Sequence, residues 1–282
     1  MRNLVIISSI VVISAIIVSI LFQIKYIKGL DDLHTSSRKQ IWTYWSPSDH
    51  ASDNIFVDRC IESWKQWNPE YKVHILSKDN YRDYIDDDIS AIRHSHDSEA
   101  RFSDYLRLLV LAKYGGIWID ASIICQQSLN PVFDFLEDQY ECVGFSAPFH
   151  SQVLESWFIA CNPGSPFIQK WCKEFLRTGE FETMGEYLED LNEKGVDTSI
   201  VPMTEYLAIH CAALPFLSMS DVLLVPSENG GPFTPHGDTK WDSKETVKNI
   251  CKGGYRDIPL IKFRGVERNM VRSMRSMECL FS

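Results

Sequence analysis

The feature that most constrains the fold is a segment near the middle of the chain, which predicts a helix, a stop and a buried strand. Ala100–Tyr114 is rich in helix-forming residues, and Gly115-Gly116 supplies the left-handed backbone conformation that commonly ends a helix. Ile117–Ile119 is too short for a helix and suits a buried strand. Asp120 follows directly. Because ligands of open α/β sheets bind beyond the carboxyl ends of strands, we expect Asp120 to face a site.

The predicted helix carries its charges on one face. Arg101, Asp104 and Arg107 recur at every third position, a spacing that places them side by side on a helix. The other positions are apolar on nearly all sides, which is typical of a buried helix. An exposed ion pair at this spacing adds little stability, so charges on a buried helix indicate a role at a site. The alternative is a plain ion pair without function.

The residues before this segment predict alternating strands and helices. Ile41–Trp45 is β-branched and aromatic and predicts a first strand, Asp53–Trp67 has helical periodicity, and Tyr71–Leu76 alternates as a second strand. This order favours an α/β fold with a mostly parallel sheet. A ligand at the end of the first strand could reach Tyr44 and Trp45, although core packing explains Tyr44 equally well.

The composition is that of an ordinary globular protein, with 45% hydrophobic and 23% charged residues. The formal net charge is −10. This argues against a general nucleic-acid-binding protein, because such proteins need a basic surface that displaces counterions. An anionic small ligand is still compatible with this composition, since a single site can be locally positive.

The beginning of the chain predicts a membrane anchor. Leu4–Phe22 has 19 residues without a charge, close to the roughly 20 with which a helix crosses a bilayer. Signal-peptide cores are shorter, about 7–15 residues, and no clear cleavage site follows. We expect residues 1–25 to form a single-pass anchor, 26–39 a stem and 40–282 a single folded domain. The Lys and Arg residues after the anchor favour a domain facing the cytoplasm, whereas a Golgi-type anchor would place it in the lumen.

Eight cysteines are scattered along the chain without a Cys-x-x-Cys pair or a zinc-ligand spacing. Most lie in apolar surroundings, which indicates free, buried thiols. In an oxidising compartment one or two disulfides could form. The cysteines are Cys60, Cys125, Cys142, Cys161, Cys172, Cys211, Cys251 and Cys279.

Three later segments also carry predictions. Thr204–Leu214 predicts a helix that ends at Pro215. Asn229–Gly237 contains too many turn residues for a helix or strand, and loops of this kind commonly shape sites. Arg264–Arg275 is basic; contact with phosphate or a membrane is one interpretation, and solvent exposure is the simpler one.

The central segment resembles the sugar-binding region of glycosyltransferases that carry a DXD motif. The pattern is Ser-Asp-x-x-Arg, an apolar run, Tyr-Gly-Gly, three apolar residues and Asp-x-Asp. It stands here as SDYLR at Ser103–Arg107 and YGGIWIDAS at Tyr114–Ser122. The stretches IWTYW, SWKQWNPEYKVHIL and ESWFIACNPGSPFIQKW resemble the capsular polysaccharide synthesis branch of these enzymes, of the family 32 type. The resemblance covers roughly residues 40–240.

The resemblance implies a GT-A fold, in which a Rossmann-like, mostly parallel sheet flanked by helices binds a nucleotide-sugar. The donor would be UDP- or GDP-linked, and the acceptor a glycan or polysaccharide. Asp104 and Arg107 would contact the donor, together with Tyr44 and Trp45 at the first strand. Asp120 would be the first acid of the motif and a catalytic residue.

The resemblance also implies a divalent cation, Mn²⁺ or Mg²⁺, at the motif. The third position of the motif is Ser122 instead of a second aspartate. A hydroxyl is a weaker ligand than a carboxylate for a hard cation, so we expect weak metal binding. The ligands would be Asp120, Ser122 and the diphosphate, with a further group such as His236 or Asn229.

Glycosyl transfer places two demands on the site. Negative charge grows on the leaving phosphate in an oxocarbenium-like transition state, so a cation is needed there. If the reaction inverts configuration, a base must also deprotonate the acceptor, and Glu155 at the end of a predicted strand is our candidate. The resemblance favours retention, in which no dedicated base is required.

Two other functions stay open from the sequence. One is a non-catalytic, membrane-tethered sugar-binding protein descended from such enzymes, which the serine at position 122 favours. The other is a phosphosugar transferase that uses the same nucleotide-binding pocket.

Overall fold

A computed structural model describes residues 39–47, 51–272 and 277–281 of the chain. These residues form eight strands. The strands are β1 (Gln40–Tyr44), β2 (Lys72–Leu76), β3 (Gly116–Ile119), β4 (Ile123–Cys125), β5 (Cys142–Ala147), β6 (His150–Cys161), β7 (Val222–Pro226) and β8 (Leu260–Lys262).

Helices connect and cover the strands. The α-helices of the described residues are α1 (Ala51–Trp67), α2 (Glu99–Tyr114), α3 (Pro131–Asp138), α4 (Pro166–Leu176), α5 (Met184–Glu193), α6 (Ala208–Leu217), α7 (Thr234–Asp238), α8 (Ser243–Cys251), α9 (Gly265–Arg272) and α10 (Glu278–Phe281). Short 3₁₀ turns lie at Tyr81–Asp83, Ile89–Ala91, Arg177–Glu180 and Thr198–Ile200.

Six of the strands form the central sheet, in the spatial order β2-β1-β3-β6-β5-β7. Neighbouring pairs are parallel except at β6, which runs against both β3 and β5. Five strands therefore point one way and one points back. The two remaining strands, β4 and β8, pair with each other in antiparallel register. The predicted α/β class with a mostly parallel sheet is confirmed.

The sheet is covered on both faces because the residues of β3 alternate between two hydrophobic cores. Trp118 packs with Trp42 in the core that contains the apolar side of α2. Ile117 and Ile119 belong to the other core, which includes Trp64 of α1. All four residues of β3 are buried, as expected for a central strand between two helical layers.

The turn between α2 and β3 depends on its two glycines. Gly115 has φ +64° and Gly116 has φ +92°, both in the left-handed region. A Cβ at Gly115 would lie 2.5 Å from the nitrogen of Pro163, and one at Gly116 would lie 2.7 Å from the carbonyl oxygen of Gln40. The predicted helix, glycine stop and strand are confirmed, and the tight turn fixes where β3 ends.

The structure differs from two predictions about later elements. Pro215 lies inside the last turn of α6 and does not end it, because the buried residues before it hold the helix in the core although a proline costs a helical hydrogen bond. The helix also begins later than predicted, at Ala208. The segment Asn229–Gly237, predicted to be entirely loop, contains the start of α7 at Thr234.

One disulfide joins α8 to α10, between Cys251 and Cys279. The other six cysteines are free and buried, as the apolar surroundings predicted. The predicted anchor of residues 1–25 lies outside the described residues, as does all but the last residue of the predicted stem. Among the described helices, none has the length and apolar character of a membrane span.

Candidate functional site: a cleft with a buried chain of ion pairs

A cleft of about 1350 Å³ lies at the carboxyl end of the central parallel strands. Asp120, which directly follows β3, is at its edge, as its position after a strand predicted. Because β6 runs against β3, the first half of β6 extends past the end of β3 and carries Glu155 and Trp157 to the same cleft.

Asp120 is held between two cations. The Nζ atom of Lys262 lies 2.7 Å from Oδ2, and Nη2 of Arg107 lies 3.3 Å from Oδ1. The indole Nε1 of Trp118 donates to the same Oδ1 at 3.1 Å. Burial alone would raise the pKa of Asp120, but the two cations hold it below its usual value, so the group is a carboxylate at neutral pH.

Arg107 continues a chain of buried ion pairs along one face of α2. Its Nη2 lies 3.4 Å from Oδ1 of Asp104, and Nη1 of Arg101 lies 3.5 Å from Oδ2 of Asp104. The helix begins at a cap in which Ser98 accepts from the amide of Arg101 at 3.0 Å. The burial of Asp104 raises its pKa, against the two guanidinium groups that lower it. The predicted spacing thus places all three side chains on one buried face.

Lys262 was not found from the sequence. It reaches Asp120 because β8 pairs with β4, which starts three residues after Asp120, and the register sets Lys262 opposite Ile123. The burial of Lys262 lowers its pKa, although Asp120 opposes that shift. A lysine in an apolar strand of three residues has no local sequence signal that points to a carboxylate 142 positions away.

The basic segment after β8 also lines the cleft, so the expectation that it is simply solvent-exposed was wrong for two of its residues. Arg264 and Arg268 both contribute to the wall, Arg264 while bound to Glu267. Nε of Arg264 donates to Oε2 of Glu267 at 3.1 Å, and its guanidinium lies 5.0 Å from the ring centre of Trp241. The predicted segment ends at Arg275, which lies outside the described residues.

The spacing of these two arginines in the sequence could have indicated that they lie on the same face of a helix. Arg264 and Arg268 are four positions apart, the repeat of one helix face, and α9 covers most of the segment. We call the four cleft cations Arg107, Lys262, Arg264 and Arg268 the cationic wall. These four positive groups line one cleft of a protein whose net charge is −10, and three of them are paired with carboxylates.

Glu155 lies in the middle of β6, whereas the sequence placed it at a strand end. It is buried on the cleft side, and its Oε2 is 3.4 Å from Nε2 of His210, which comes from α6 and is also buried. Both residues line the cleft. Nδ1 of His210 is buried and has no hydrogen-bond partner among the described residues. His210 was not identified from the sequence.

Tyr44 and Trp45 both line the cleft at the end of β1, as their position at the end of the predicted first strand suggested. The hydroxyl of Tyr44 donates to Glu99, and burial with this carboxylate raises the pKa of Tyr44. Nε1 of Trp45 donates to Oδ1 of Asn54 at 3.0 Å. Both side chains are therefore fixed by polar contacts while they face the cavity.

The predicted metal ligands are not brought together. Ser122 lines the cleft, but its hydroxyl donates to the carbonyl of Phe263 at 3.1 Å. His236 is fully buried outside the cleft lining, with Nε2 3.6 Å from Glu267. Asn229 is exposed and also lies outside the lining. Within the described part of the chain, no three His, Cys, Asp or Glu side chains converge as a metal site.

Comparisons with known proteins agree with the resemblance seen in the sequence. Residues 20–178 match the family model described as "Capsular polysaccharide synthesis protein". Over 166 residues the chain is 28% identical to the O-glycosyltransferase braB of Annulohypoxylon truncatum, a match that covers 50% of this chain and 38% of that protein. Over 160 residues it is 25% identical to the O-glycosyltransferase PaGT of Phomopsis amygdali, covering 50% and 39%.

The matched part of the chain thus spans about two fifths of the length of these two relatives. Among solved structures, the chain is 12% identical to the glycosyltransferase GlyE of Streptococcus pneumoniae TIGR4, with a TM-score of 0.45, over 86% of this chain and 62% of that one. The family match includes Asp104, Arg107 and Asp120 but ends before Lys262.

Proposed function

Because the chain belongs to the capsular polysaccharide synthesis protein family, we propose that it is a glycosyltransferase of the GT-A type, which moves a sugar from a nucleotide-sugar to an acceptor hydroxyl group. One observation carries this proposal. The carboxylate of Asp120 stands at a strand end between Lys262 and Arg107, at the edge of a cleft with room for a nucleotide-sugar.

The cationic wall suits the leaving group of this reaction. The bond between the anomeric carbon and the diphosphate oxygen breaks, and its electron pair stays on the diphosphate. A new bond forms between that carbon and the acceptor oxygen, whose proton must go to a base. Preorganised cations stabilise charge that develops in the transition state, and Lys262 and Arg268, which line the cleft, are our candidates for this role. Asp120 and Asp104 hold Lys262, Arg107 and Arg101 in position.

Glu155 is the proposed base if the transfer inverts configuration. Its carboxylate faces the cleft and is paired with His210 at 3.4 Å, which limits the positions that the carboxylate can take. If the transfer retains configuration, the same pair would position the acceptor hydroxyl. The stereochemistry of the product distinguishes these roles.

The predicted Mn²⁺ or Mg²⁺ does not fit the residues present as a preformed site. Both carboxylate oxygens of Asp120 face cations of the protein, and the hydroxyl of Ser122 donates a hydrogen bond to a backbone carbonyl. Divalent ions of this kind prefer several oxygen ligands, most of them carboxylates. A bound divalent ion therefore stays a prediction. In the reaction proposed above, lysine and arginine side chains of this chain stabilise the leaving diphosphate.

The test is a panel of UDP- and GDP-sugars incubated with the purified full chain, with release of nucleoside diphosphate as the readout. Asp120→Asn should lower turnover of the accepted donor by roughly 100-fold, because the neutral amide no longer orders Lys262 and Arg107. The matched control is Asp58→Asn, an exposed residue of α1 outside the cleft lining. The assay is run with EDTA and with Mn²⁺.

Two results would overturn the proposal. One is equal turnover by the Asp120→Asn variant and the control. The other is tight binding of sugars without turnover of any donor, which points to the non-catalytic sugar-binding alternative. Transfer of a phosphosugar, seen as release of a nucleoside monophosphate, would identify the second alternative.

We also propose that residues 1–25 anchor the protein in a membrane, with 26–39 as a stem and 40–282 as the catalytic domain. The support is the uncharged stretch Leu4–Phe22. Retention of the full chain in membranes after alkaline carbonate washing is expected, whereas release into the supernatant would contradict the anchor. Protease protection of the domain in sealed vesicles would determine whether it faces the cytoplasm or a lumen.

A further inference from the structure

Large apolar side chains surround one side of the cleft mouth. Met203 is 72% exposed, Tyr206 60% and Phe149 41%, and all three line the cavity. Pro148 and Leu207 line it beside them. We call these five residues the apolar rim. Within the rim, the hydroxyl of Tyr206 is the one polar side-chain group.

Two separate parts of the fold present the rim. Pro148 and Phe149 form the tight connection between β5 and β6. Met203, Tyr206 and Leu207 belong to the loop that precedes α6. Single exposed apolar side chains are common on protein surfaces, but the convergence of two loops on one cavity is typical of a binding surface.

A buried guanidinium holds the second loop in place. Nη2 of Arg101 donates to the carbonyl oxygen of Glu205 at 2.5 Å and to that of Tyr206 at 3.2 Å. The amide of Leu207 donates to the carbonyl of Met203 at 3.0 Å. Met203 has φ +49°, a left-handed conformation that residues with a side chain adopt at an energetic cost. The exposed thioether is thus presented by a constrained backbone.

The rim and the cationic wall are linked by the same buried chain of ion pairs. Arg101 supports the rim loop and pairs with Asp104, and Arg107 joins Asp104 to Asp120. Lys262 lies at the other end of this chain. Because the rim and the cationic wall line the same cleft, a molecule seated on the rim shares that cavity with a donor held by the wall.

The chemistry of the rim differs from that of a surface that binds a glycan. A sugar carries many hydroxyl groups and needs several hydrogen-bonding partners, whereas the side chains of the rim offer one, the hydroxyl of Tyr206. Such side chains gain free energy when they are covered by hydrocarbon, at about 25 cal/mol per Å² of apolar surface.

We propose that the acceptor is an apolar alcohol, a hydroxyl group carried on a hydrocarbon body that lies against the apolar rim. This rests on the proposed function and replaces its predicted glycan acceptor. The hydrocarbon body packs against Met203, Tyr206 and Phe149, and the hydroxyl points along the ion-pair chain toward the donor. The electron pair of its oxygen forms the new glycosidic bond, and its proton passes to the base.

Binding is measured first, without turnover, so that the result is independent of the proposed function. The probe is the fluorescent alcohol 1-naphthalenemethanol, titrated against the full chain saturated with UDP or GDP, with maltotriose as the comparison glycan. The alcohol should bind at least about tenfold more tightly than maltotriose. The substitution Met203→Ser should lower the affinity for the alcohol about fourfold or more, since each buried CH₂ contributes about 0.8 kcal/mol.

The chain offers a matched control and a discriminating variant. Met219 is 68% exposed and lies outside the cleft lining, so Met219→Ser should leave the affinity for the alcohol unchanged. Tyr206→Phe keeps the apolar ring and removes the hydroxyl, and it should retain the affinity. If the rim instead binds sugars through that hydroxyl, Tyr206→Phe would lose affinity for maltotriose.

Equal weakening by Met203→Ser and Met219→Ser, or tighter binding of maltotriose than of the alcohol, overturns the proposal. Measuring donor turnover separates this outcome from a failure of the proposed function. If only glycans accelerate donor turnover, the protein is a glycosyltransferase but its acceptor is not an apolar alcohol. Offering the alcohol dissolved or as hexadecanol in phosphatidylcholine vesicles shows whether the hydrocarbon body comes from solution or from a bilayer.

Discussion

The two ends of the cleft are built from opposite chemistries. Three cations of the wall, Arg107, Lys262 and Arg264, are bound by carboxylates, whereas the apolar rim is exposed and its second loop is held by backbone contacts. A charged surface without counter-charges would be costly to bury, so the wall needs Asp120 and Glu267. An apolar surface needs no partner of that kind, but it does need a rigid loop to keep it from collapsing onto the core.

This difference indicates which part of the reaction each end serves. A diphosphate is recognised by charge and a hydrocarbon body by contact area, so the ends should respond to different perturbations. The predictions below separate the affinity for a nucleoside diphosphate from the affinity for the apolar alcohol.

The largest effect is expected from the removal of the ammonium group at the cationic wall. Lys262→Met should weaken the binding of UDP or GDP by roughly 10–100-fold, because a hydrogen bond to a charged group contributes about 1.5–3 kcal/mol. The affinity for the apolar alcohol should change by less. Isothermal titration calorimetry measures both, with Lys170→Met, an exposed residue of α4, as control. A change of similar size for both ligands would remove the distinction between the two ends.

The next effect is a loss of diphosphate affinity at alkaline pH. The pKa of Lys262 is lowered by burial, so its ammonium group is lost as the pH rises, before an ordinary lysine would lose it near about 10.4. Asp120 stays ionised throughout, because its pKa lies below its usual value. We expect the diphosphate affinity to fall by up to roughly tenfold on this alkaline side.

The variant Lys262→Arg provides the control for this pH effect. A guanidinium group keeps its charge over the whole accessible range, so the alkaline decline should disappear. The measurement is the same titration repeated at increasing pH. A decline that persists in the arginine variant would assign the effect to another group.

Added salt should produce a smaller difference between the affinity for the diphosphate and the affinity for the alcohol. Raising the ionic strength from about 0.05 to 0.5 M should weaken diphosphate binding severalfold, since the Debye length falls from roughly 14 to 4 Å. Binding of the alcohol should stay constant or tighten slightly, because apolar contacts are not screened. Parallel titrations in potassium chloride test this. Equal salt sensitivity of both ligands would mean that the alcohol also binds at the wall.

The smallest effect is expected from a substitution of Arg101, which contacts both the buried ion-pair chain and the loop of the apolar rim. Arg101→Lys keeps the charge beside Asp104 but loses the paired donors to Glu205 and Tyr206. The rim loop should then be less well held, and the affinity for the alcohol should fall by about threefold, with a smaller change for the diphosphate. Arg177→Lys, an arginine outside the cleft lining, is the control. Unchanged alcohol affinity would show that Arg101 does not support the rim.

Much of the fold could be predicted from the sequence because its signals are local. The helix, glycine stop and strand before Asp120 follow from helix-forming residues, a glycine pair and a short apolar run, all within one segment. The pairing of β6 against β3 had no such signal, and it is what brings Glu155 from mid-strand to the cleft. The place of Pro215 inside α6 also depended on tertiary context, since a proline inside a helix normally kinks or ends it.

The sequence by itself determined where Asp120 lies along its strand and that Arg101, Asp104 and Arg107 share one helix face, since both follow from the periodicity of neighbouring residues. Only the tertiary structure decided that Lys262 pairs with Asp120 and that Met203 lines the cleft. These contacts join residues far apart in the chain. Strand pairing and loop packing set them, and no local pattern encodes either.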